Sequence, residues 1–135
     1  MAAINQDMRD IAAKARTAIV ATATKDGKPN GVPVGLWKIY SDDEVLVLNT
    51  LMYKTALNID ENPVVAVTYW SQDDHYGYQL KGKARVEKSG KLMDEAMQWL
   101  KETGRDSQPK AAILIQVEEA YYIGRGKDSS KNLVS

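Results

Sequence analysis

Six short runs of β-forming residues, separated by turn signals, constrain the fold of this chain more than any other feature. The runs occupy residues 17–24, 31–40, 44–50, 63–70, 76–88 and 111–124. Most are joined by tight turns, and the Asp26-Gly27 pair between the first two is typical of a β-hairpin. Because closing a sheet removes its exposed edges, the pattern predicts an antiparallel barrel decorated with helices rather than a parallel βαβ sheet.

Three segments between these runs have helical character. Ile4, Met8 and Ile11 follow helical spacing, and Asn5 is suited to an N-cap, so a first helix is predicted near residues 5–15. A short helix is predicted at about 53–61. A third is predicted to open at Ser89 or Gly90 and to end near Gly104, with a face that packs into the core and carries Met93, Ala96, Met97 and Leu100.

Two residues inside the predicted strands limit where those strands can lie. Pro33 cannot donate to a neighbouring strand, so its run should form a sheet edge or be bulged. Gly82, inside the fifth run, indicates a bulge or a closely approaching backbone.

Length and charge exclude several classes of protein. The chain has 135 residues, which is enough for one domain, with 18 basic and 18 acidic side chains. A balanced charge without a basic tract does not favour nucleic acid or an anionic membrane as partner. No apolar run reaches the roughly 20 residues of a membrane span, and residues 1–10 lack a signal peptide's apolar region. We therefore expect a cytoplasmic domain over residues 1–135, with a mobile polar tail at about 124–135.

Cysteine and histidine usage argues against metal and thiol chemistry. There is no Cys and one His, so disulfides, thiol catalysis and the commonest zinc sites are excluded or nearly so, and no metal is expected. His75 falls in a polar loop, where we interpret it as solvated. A role in a Ser–His pair stays open.

The stretch NTLMYKTALNIDENP, residues 49–63, joins a strand to a short helix. The first N–H groups of a helix and its dipole favour an anion, and Lys54 and Thr55 near the start add a charge and a hydroxyl. The sequence therefore predicts an anion site here.

From Gly35 to Arg85 the chain resembles the FMN-binding split barrel of the pyridoxamine 5′-phosphate oxidase-like family. The resemblance rests on KTALNIDENPVVAV followed about fifteen residues later by LKGKARV, and it extends more loosely over 17–123. It implies a mainly β fold, a six-stranded antiparallel split β-barrel of Greek-key type with two to three short helices. It also implies a homodimer with FMN at the interface, each site being completed by the partner chain.

The resemblance also implies which residues hold the cofactor. Phosphate contacts fall on Lys54 and Thr55, supported by Asn49, Thr50 and Tyr53. The isoalloxazine ring would lie against Pro33, Val34, Gly35 and Leu36, with Leu48 beneath it and Lys38 near ring and substrate. From the partner chain the resemblance implies contacts by Tyr76, Gly77, Tyr78 and Gln79, with the 121–125 region as a further candidate.

Two departures from the family pattern argue against vitamin B6 oxidation itself. The helix at 92–103 lacks the oxidases' substrate residues, and so does the short C-terminal segment. A separate departure is Thr55, which stands where oxidases usually have a second basic residue and implies a phosphate site that is weaker in charge. We therefore expect an FMN-dependent oxidoreductase or electron carrier of unknown substrate and electron donor. The alternatives are an FMN storage protein or a split barrel that binds haem or a deazaflavin.

Overall fold

The computed structural model describes residues 3–50, 52–126 and 128–134. These residues form seven strands and three helices. In chain order the elements are α1 (Gln6–Lys14), β1 (Ala18–Ala23), β2 (Pro29–Val34), β3 (Trp37–Ile39), β4 (Glu44–Asn49), α2 (Tyr53–Glu61), β5 (Val64–Ser71), β6 (Tyr76–Glu87), α3 (Lys91–Glu102) and β7 (Ala111–Ile123).

All seven strands belong to one antiparallel sheet with the order β2-β1-β5-β6-β7-β4-β3. Its two edges, β2 and β3, are separated in the chain by Gly35 and Leu36 alone, so the sheet must curl until the edges meet. The next strand of the chain after β4 is β5, yet β4 pairs with β7. This connectivity between strands that are not consecutive is typical of a Greek key. The predicted mainly β split barrel with short helices is confirmed.

The predicted strand count was wrong by one. Residues 31–40 do not form a single strand, because the chain leaves one sheet edge after Val34 and enters the other at Trp37. Pro33 lies in the edge strand β2, where it is opposite Ile19 of β1. This confirms the predicted edge position, where a missing N–H is tolerated.

Gly82 lies at a β-bulge, as its position inside a strand predicts. The register between β6 and β7 shifts between Lys81 and Gly82, which marks a bulge. A Cβ on Gly82 would lie 1.7 Å from the carbonyl oxygen of Gln116, so the two backbones meet at a distance only glycine allows.

Helix α1 covers the inner face of the sheet and helix α3 covers part of the outer face. Asn5 caps α1 by accepting a hydrogen bond from the Met8 N–H, as predicted, and the Tyr69 hydroxyl donates to the Met8 carbonyl at 2.9 Å. The predicted buried face of α3 was shifted: Leu92, Ala96 and Leu100 are buried, whereas Met97 is 36% exposed. Residues four apart stack along a helix, and Leu92 rather than Met97 shares the stripe with Ala96.

The C-terminal segment lies against β7. Residues 128–134 fold back along β7, where the Leu133 N–H donates to the Ala120 carbonyl at 2.7 Å. The Asn132 side chain accepts from the Ala120 N–H at 3.1 Å. The mobility of the tail stays a prediction, and Lys127 and Ser135 lie outside the described part. None of the described helices has the length and apolar character required to cross a membrane.

Candidate functional site

A cleft of about 470 Å³ opens where the β2 edge meets the end of β4 and the start of α2. We call it the β2–α2 cleft. Nine of the predicted cofactor residues line it: Pro33, Val34, Gly35, Leu36, Leu48, Thr50, Tyr53, Lys54 and Thr55. Val32 and Met52 also line it and were not predicted, although each lies within one or two residues of a predicted residue. The bend between β2 and β3 therefore faces the junction between β4 and α2.

Gly35 leaves one wall of this cleft without a side chain. A Cβ built there would meet no atom within 4 Å, so the glycine is not required by packing against a neighbour. The Gly35 carbonyl already accepts from the Arg105 side chain, and the Leu36 carbonyl accepts from the Leu48 N–H. The wall can therefore hydrogen-bond to the edge of a closely approaching flat ring through its backbone N–H groups. The wall formed by residues 33–36 is therefore suited to a planar cofactor.

The opposite end of the cleft is electropositive. Among the described residues, no side chain caps the start of helix α2 after Met52, so its first N–H groups remain available, and no acidic residue lines the cleft. Lys54 adds a full positive charge in the first turn. The charge of Lys54 also acts on Asp26 nearby: a hydrogen bond from the Thr24 hydroxyl is the main cause that lowers the pKa of the Asp26 carboxyl, and the positive charge of Lys54 lowers this pKa further. A helix N-terminus with an adjacent lysine and hydroxyl groups can bind a phosphate dianion.

Three hydrogen bonds that involve one face of α2 and its C-cap residue hold this helix against β1 and β2. Asn30 donates to the buried Thr55 hydroxyl at 3.2 Å, and Asn58 donates to Thr22 at 3.0 Å. Asn62 donates to the Ala23 carbonyl at 3.4 Å. Asn58 and Asn62 were missed as positioning residues, although their spacing from Thr55 on one helical face could have indicated them.

Asn49 and Lys38 do not line the β2–α2 cleft. Asn49 is buried and accepts a hydrogen bond from the Met52 N–H at 2.8 Å, so it directs the chain from β4 into α2. Lys38 lines a neighbouring cleft beside α1, with its Nζ 4.9 Å from the centroid of the Trp99 ring. Gly35 borders both clefts.

The four predicted partner-chain residues lie on two faces of β6. Since β1 and β5 separate β2 from β6, these residues lie three strands away from the cleft wall of their own chain. Tyr76 and Tyr78 face inward, where both hydroxyls donate to Asp7. Gly77 and Gln79 face outward, and a Cβ on Gly77 would lie 2.0 Å from the Tyr69 carbonyl oxygen.

The two inward tyrosines form a hydrogen-bonded cluster with Asp7. Desolvation, followed by the hydrogen bond to Asp7, raises the pKa of Tyr76 to about 12. The same two causes raise the pKa of Tyr78. Both phenols therefore stay protonated at neutral pH and act as hydrogen-bond donors to the carboxylate of Asp7.

Comparison with known proteins identifies the family. The family model for pyridoxamine 5′-phosphate oxidase matches residues 4–124. The chain belongs to this family. An uncharacterized protein of Methanocaldococcus jannaschii is 37% identical over 114 residues, covering 83% of this chain and 76% of that protein.

Several solved structures share the fold described above. HupZ of Group A Streptococcus superposes with a TM-score of 0.83 at 26% identity, covering 94% of this chain and 99% of that chain. An FMN-binding protein from Syntrophomonas wolfei has a TM-score of 0.72 at 14% identity, covering 90% and 91%. An F420 reductase and a haem-binding protein of Mycobacterium smegmatis also share the fold. The proteins that share this fold are named for different cofactors, so the fold alone does not select a cofactor.

Proposed function

We propose that the protein binds FMN in the β2–α2 cleft and acts as a flavin-dependent oxidoreductase or electron carrier. The observation that carries this proposal is the pairing, in one cleft, of an open backbone wall with an uncapped helix N-terminus beside Lys54. FMN has matching parts, namely a flat ring with polar edges and a phosphate dianion. A ligand without an anionic group would leave the positive end of the cleft without a partner.

Each part of the cleft has a separate role in this proposal. Backbone groups of Pro33 to Leu36 hold the ring, Leu48 excludes water beneath it, and Lys54 with the α2 N–H groups holds the phosphate. When bound, the flavin supplies the electron transfer, and the protein supplies position and electrostatics.

Vitamin B6 phosphates are not the proposed substrates. In the oxidases, the resemblance places substrate residues on the helix equivalent to α3. Here α3 buries Leu92, Ala96 and Leu100, and its Glu95 accepts a hydrogen bond from the Tyr40 hydroxyl. This use of α3 for packing and for a contact to Tyr40 supports a different electron acceptor or donor.

The purified protein is expected to show the absorption bands of oxidised flavin, or to gain them when FMN is added and excess ligand removed. A Soret band in the purified protein would identify haem instead. A colourless protein that takes up no added FMN would contradict the proposal. Stopped-flow reduction of the loaded protein by NADH and NADPH then separates a reductase from a passive carrier.

We propose that the cleft functions within a homodimer. The outer sheet face, formed by β1, β2, β5 and β6 on the side opposite α1, carries exposed Ile19, Val64 and Trp70 at 43%, 52% and 43%. Apolar side chains grouped on one face are typical of an interface. Gly77 and Gln79 lie on this face beside Trp70 and Thr68, so docking would bring them to the partner chain.

Sedimentation equilibrium is expected to give twice the 15.0 kDa chain mass at micromolar concentration. Trp70→Lys should convert the dimer to monomer, because a charge on the outer face would be buried without a partner. Leu57→Lys is the matched control, since Leu57 is 54% exposed on α2, away from that face. A wild-type monomer with FMN bound would contradict the dimer, as would equal effects of the two variants.

A further inference from the structure

The aromatic part of the core is built without phenylalanine. The chain has seven Tyr, three Trp and no Phe. Among the described residues, the buried aromatic side chains are Trp37, Tyr69 and Tyr78, at 7%, 1% and 5% exposure. A buried phenol needs a hydrogen-bond partner for its hydroxyl, whereas phenylalanine would fill the same space without that requirement. The buried aromatic positions are therefore held by the two aromatic side chains that can lose an electron.

These rings form a continuous row through the interior, which we call the aromatic row: Trp37, Tyr69, Tyr78, Tyr76 and Tyr122. The Trp37 and Tyr69 ring centroids lie 5.1 Å apart, and those of Tyr69 and Tyr78 lie 6.2 Å apart. Tyr78 lies 6.1 Å from Tyr76 and 5.9 Å from Tyr122. All four distances fall in the range of contacting aromatic pairs, roughly 4.5–7 Å. No step along the row is longer than one ring contact.

The aromatic row reaches a cleft at each end. Trp37 lines the cleft beside α1 together with Gly35, which also belongs to the wall proposed for the flavin ring. At the other end, Tyr76 and Tyr78 line a cleft of about 610 Å³ together with Asp7. We call this second opening the tyrosine cleft. The row therefore connects the surroundings of the flavin wall with a separate opening.

A proton acceptor is present at the tyrosine cleft. A phenol that loses an electron also releases its proton, so a tyrosyl radical forms most readily where the hydroxyl donates to a base. The Tyr78 hydroxyl donates to the Asp7 carboxylate, and the Tyr76 hydroxyl donates to it at 3.0 Å. The Tyr69 hydroxyl instead donates to the Met8 carbonyl at 2.9 Å, and a backbone carbonyl is too weak a base to take a proton. Tyr69 is therefore suited to bridge the row and Tyr78 to end it.

We propose that the aromatic row transfers an electron from Tyr78 to Trp37 once Trp37 has been oxidised. A one-electron oxidant of the inorganic or peroxyl radical class takes one electron from Trp37 at its cleft and is thereby reduced. Tyr78 then gives one electron through the ring of Tyr69, and the proton of its hydroxyl passes to Asp7. Charge is conserved, because an indole radical cation, a phenol and a carboxylate become a neutral indole, a tyrosyl radical and a carboxylic acid.

A second step returns the row to its starting state. A small reductant of the ascorbate class in the tyrosine cleft gives one electron to the Tyr78 radical, and Asp7 gives the proton back. The row thus moves oxidising equivalents away from the wall at Gly35 and protects a ring bound there. That protective role rests on the proposed function, whereas electron transfer along the row does not.

Pulse radiolysis of the flavin-free protein with azidyl radicals tests the transfer, because these radicals oxidise tryptophan in preference to tyrosine. Trp70→Phe and Trp99→Phe together leave Trp37 as the one tryptophan. The absorption of the tryptophan radical should be replaced by that of a tyrosyl radical, at a rate independent of protein concentration. Decay without a tyrosyl radical, or a rate that rises with protein concentration, would overturn the proposal. So would the absence of any tryptophan radical, since Trp37 must be reached from its cleft.

Substitutions in this background locate the electron donor. Tyr78→Phe should slow formation of the tyrosyl radical at least about tenfold, because the next phenol, Tyr76, lies one ring farther along the row. Asp7→Asn should slow it similarly, since an amide accepts the hydrogen bond but not the proton. Transfer should also be slower in D₂O than in H₂O, and Asp7→Asn should change this ratio. A merely structural role of Asp7 predicts an unchanged ratio.

Two further tyrosines are the controls. Tyr53 is 79% exposed on α2 and lies outside the row, so Tyr53→Phe should leave the rate unchanged. Tyr40 lies three residues from Trp37 in the chain, and its hydroxyl donates to Glu95. A slower transfer in Tyr40→Phe with an unchanged rate in Tyr78→Phe would place the transfer outside the row and overturn the proposal. Failure of FMN to bind would contradict the proposed function and leave these results unaffected.

Discussion

Replacing Gly82 with alanine is expected to lower the free energy of unfolding by about 3 kcal/mol or more, a large effect for one methyl group. The added Cβ would lie 1.7 Å from the carbonyl oxygen of Gln116 and 2.7 Å from its carbonyl carbon. Both are backbone atoms of β7, so no side chain can rotate away. The strand pair at the centre of the sheet must separate, and the bulge between β6 and β7 would be disrupted.

Gly31→Ala is the matched control for this prediction. A Cβ at Gly31, in the edge strand β2, would meet the Ile19 side chain at 3.7 Å, an ordinary contact. Its unfolding free energy should change by less than about 1 kcal/mol. Urea denaturation followed by circular dichroism measures both variants. Equal stability of Gly82→Ala and wild type would show that the backbones at the bulge do not approach this closely.

The second large effect is expected at Lys54. A charge-assisted contact is worth about 1.5–3 kcal/mol, so Lys54→Ala should weaken FMN binding about ten- to a hundredfold. Riboflavin has the same ring and no phosphate, so its affinity should hardly change. Lys54 lies in the first turn of a helix, where a positive charge is mildly unfavourable, and its removal should not lower stability.

Titration of flavin fluorescence with the two ligands decides whether Lys54 holds the phosphate. Lys101→Ala is the control, because Lys101 is an exposed lysine in the last turn of α3. It should leave both affinities unchanged. Equal losses for FMN and riboflavin in Lys54→Ala, or no loss for either, would show that Lys54 does not contact the phosphate.

The local sequence pattern was sufficient to predict the structure of segments whose conformation depends on their own residues. The bounds of α2 match the predicted helix, and Asn5, Pro33 and Gly82 take the cap, edge and bulge positions that their chemistry predicts. The break at Gly35 could not be predicted in this way. Residues 31–40 read as a continuous β-forming run, and only the meeting of the two sheet edges requires the chain to leave one edge and enter the other.

The candidate sites divide along the same line. The sequence by itself determined that a strand ends at a helix start carrying Lys54 and Thr55, because N–H groups, dipole and lysine lie within a few residues of one another. The tertiary structure alone brought the wall at Gly35 to that helix, tied α2 to β1 through Asn58 and Thr22, and placed the rings of Trp37 and Tyr69 side by side. Those two rings come from strands that are not neighbours in the sheet, and a sequence pattern carries no distance between residues that only the curling of the sheet brings together.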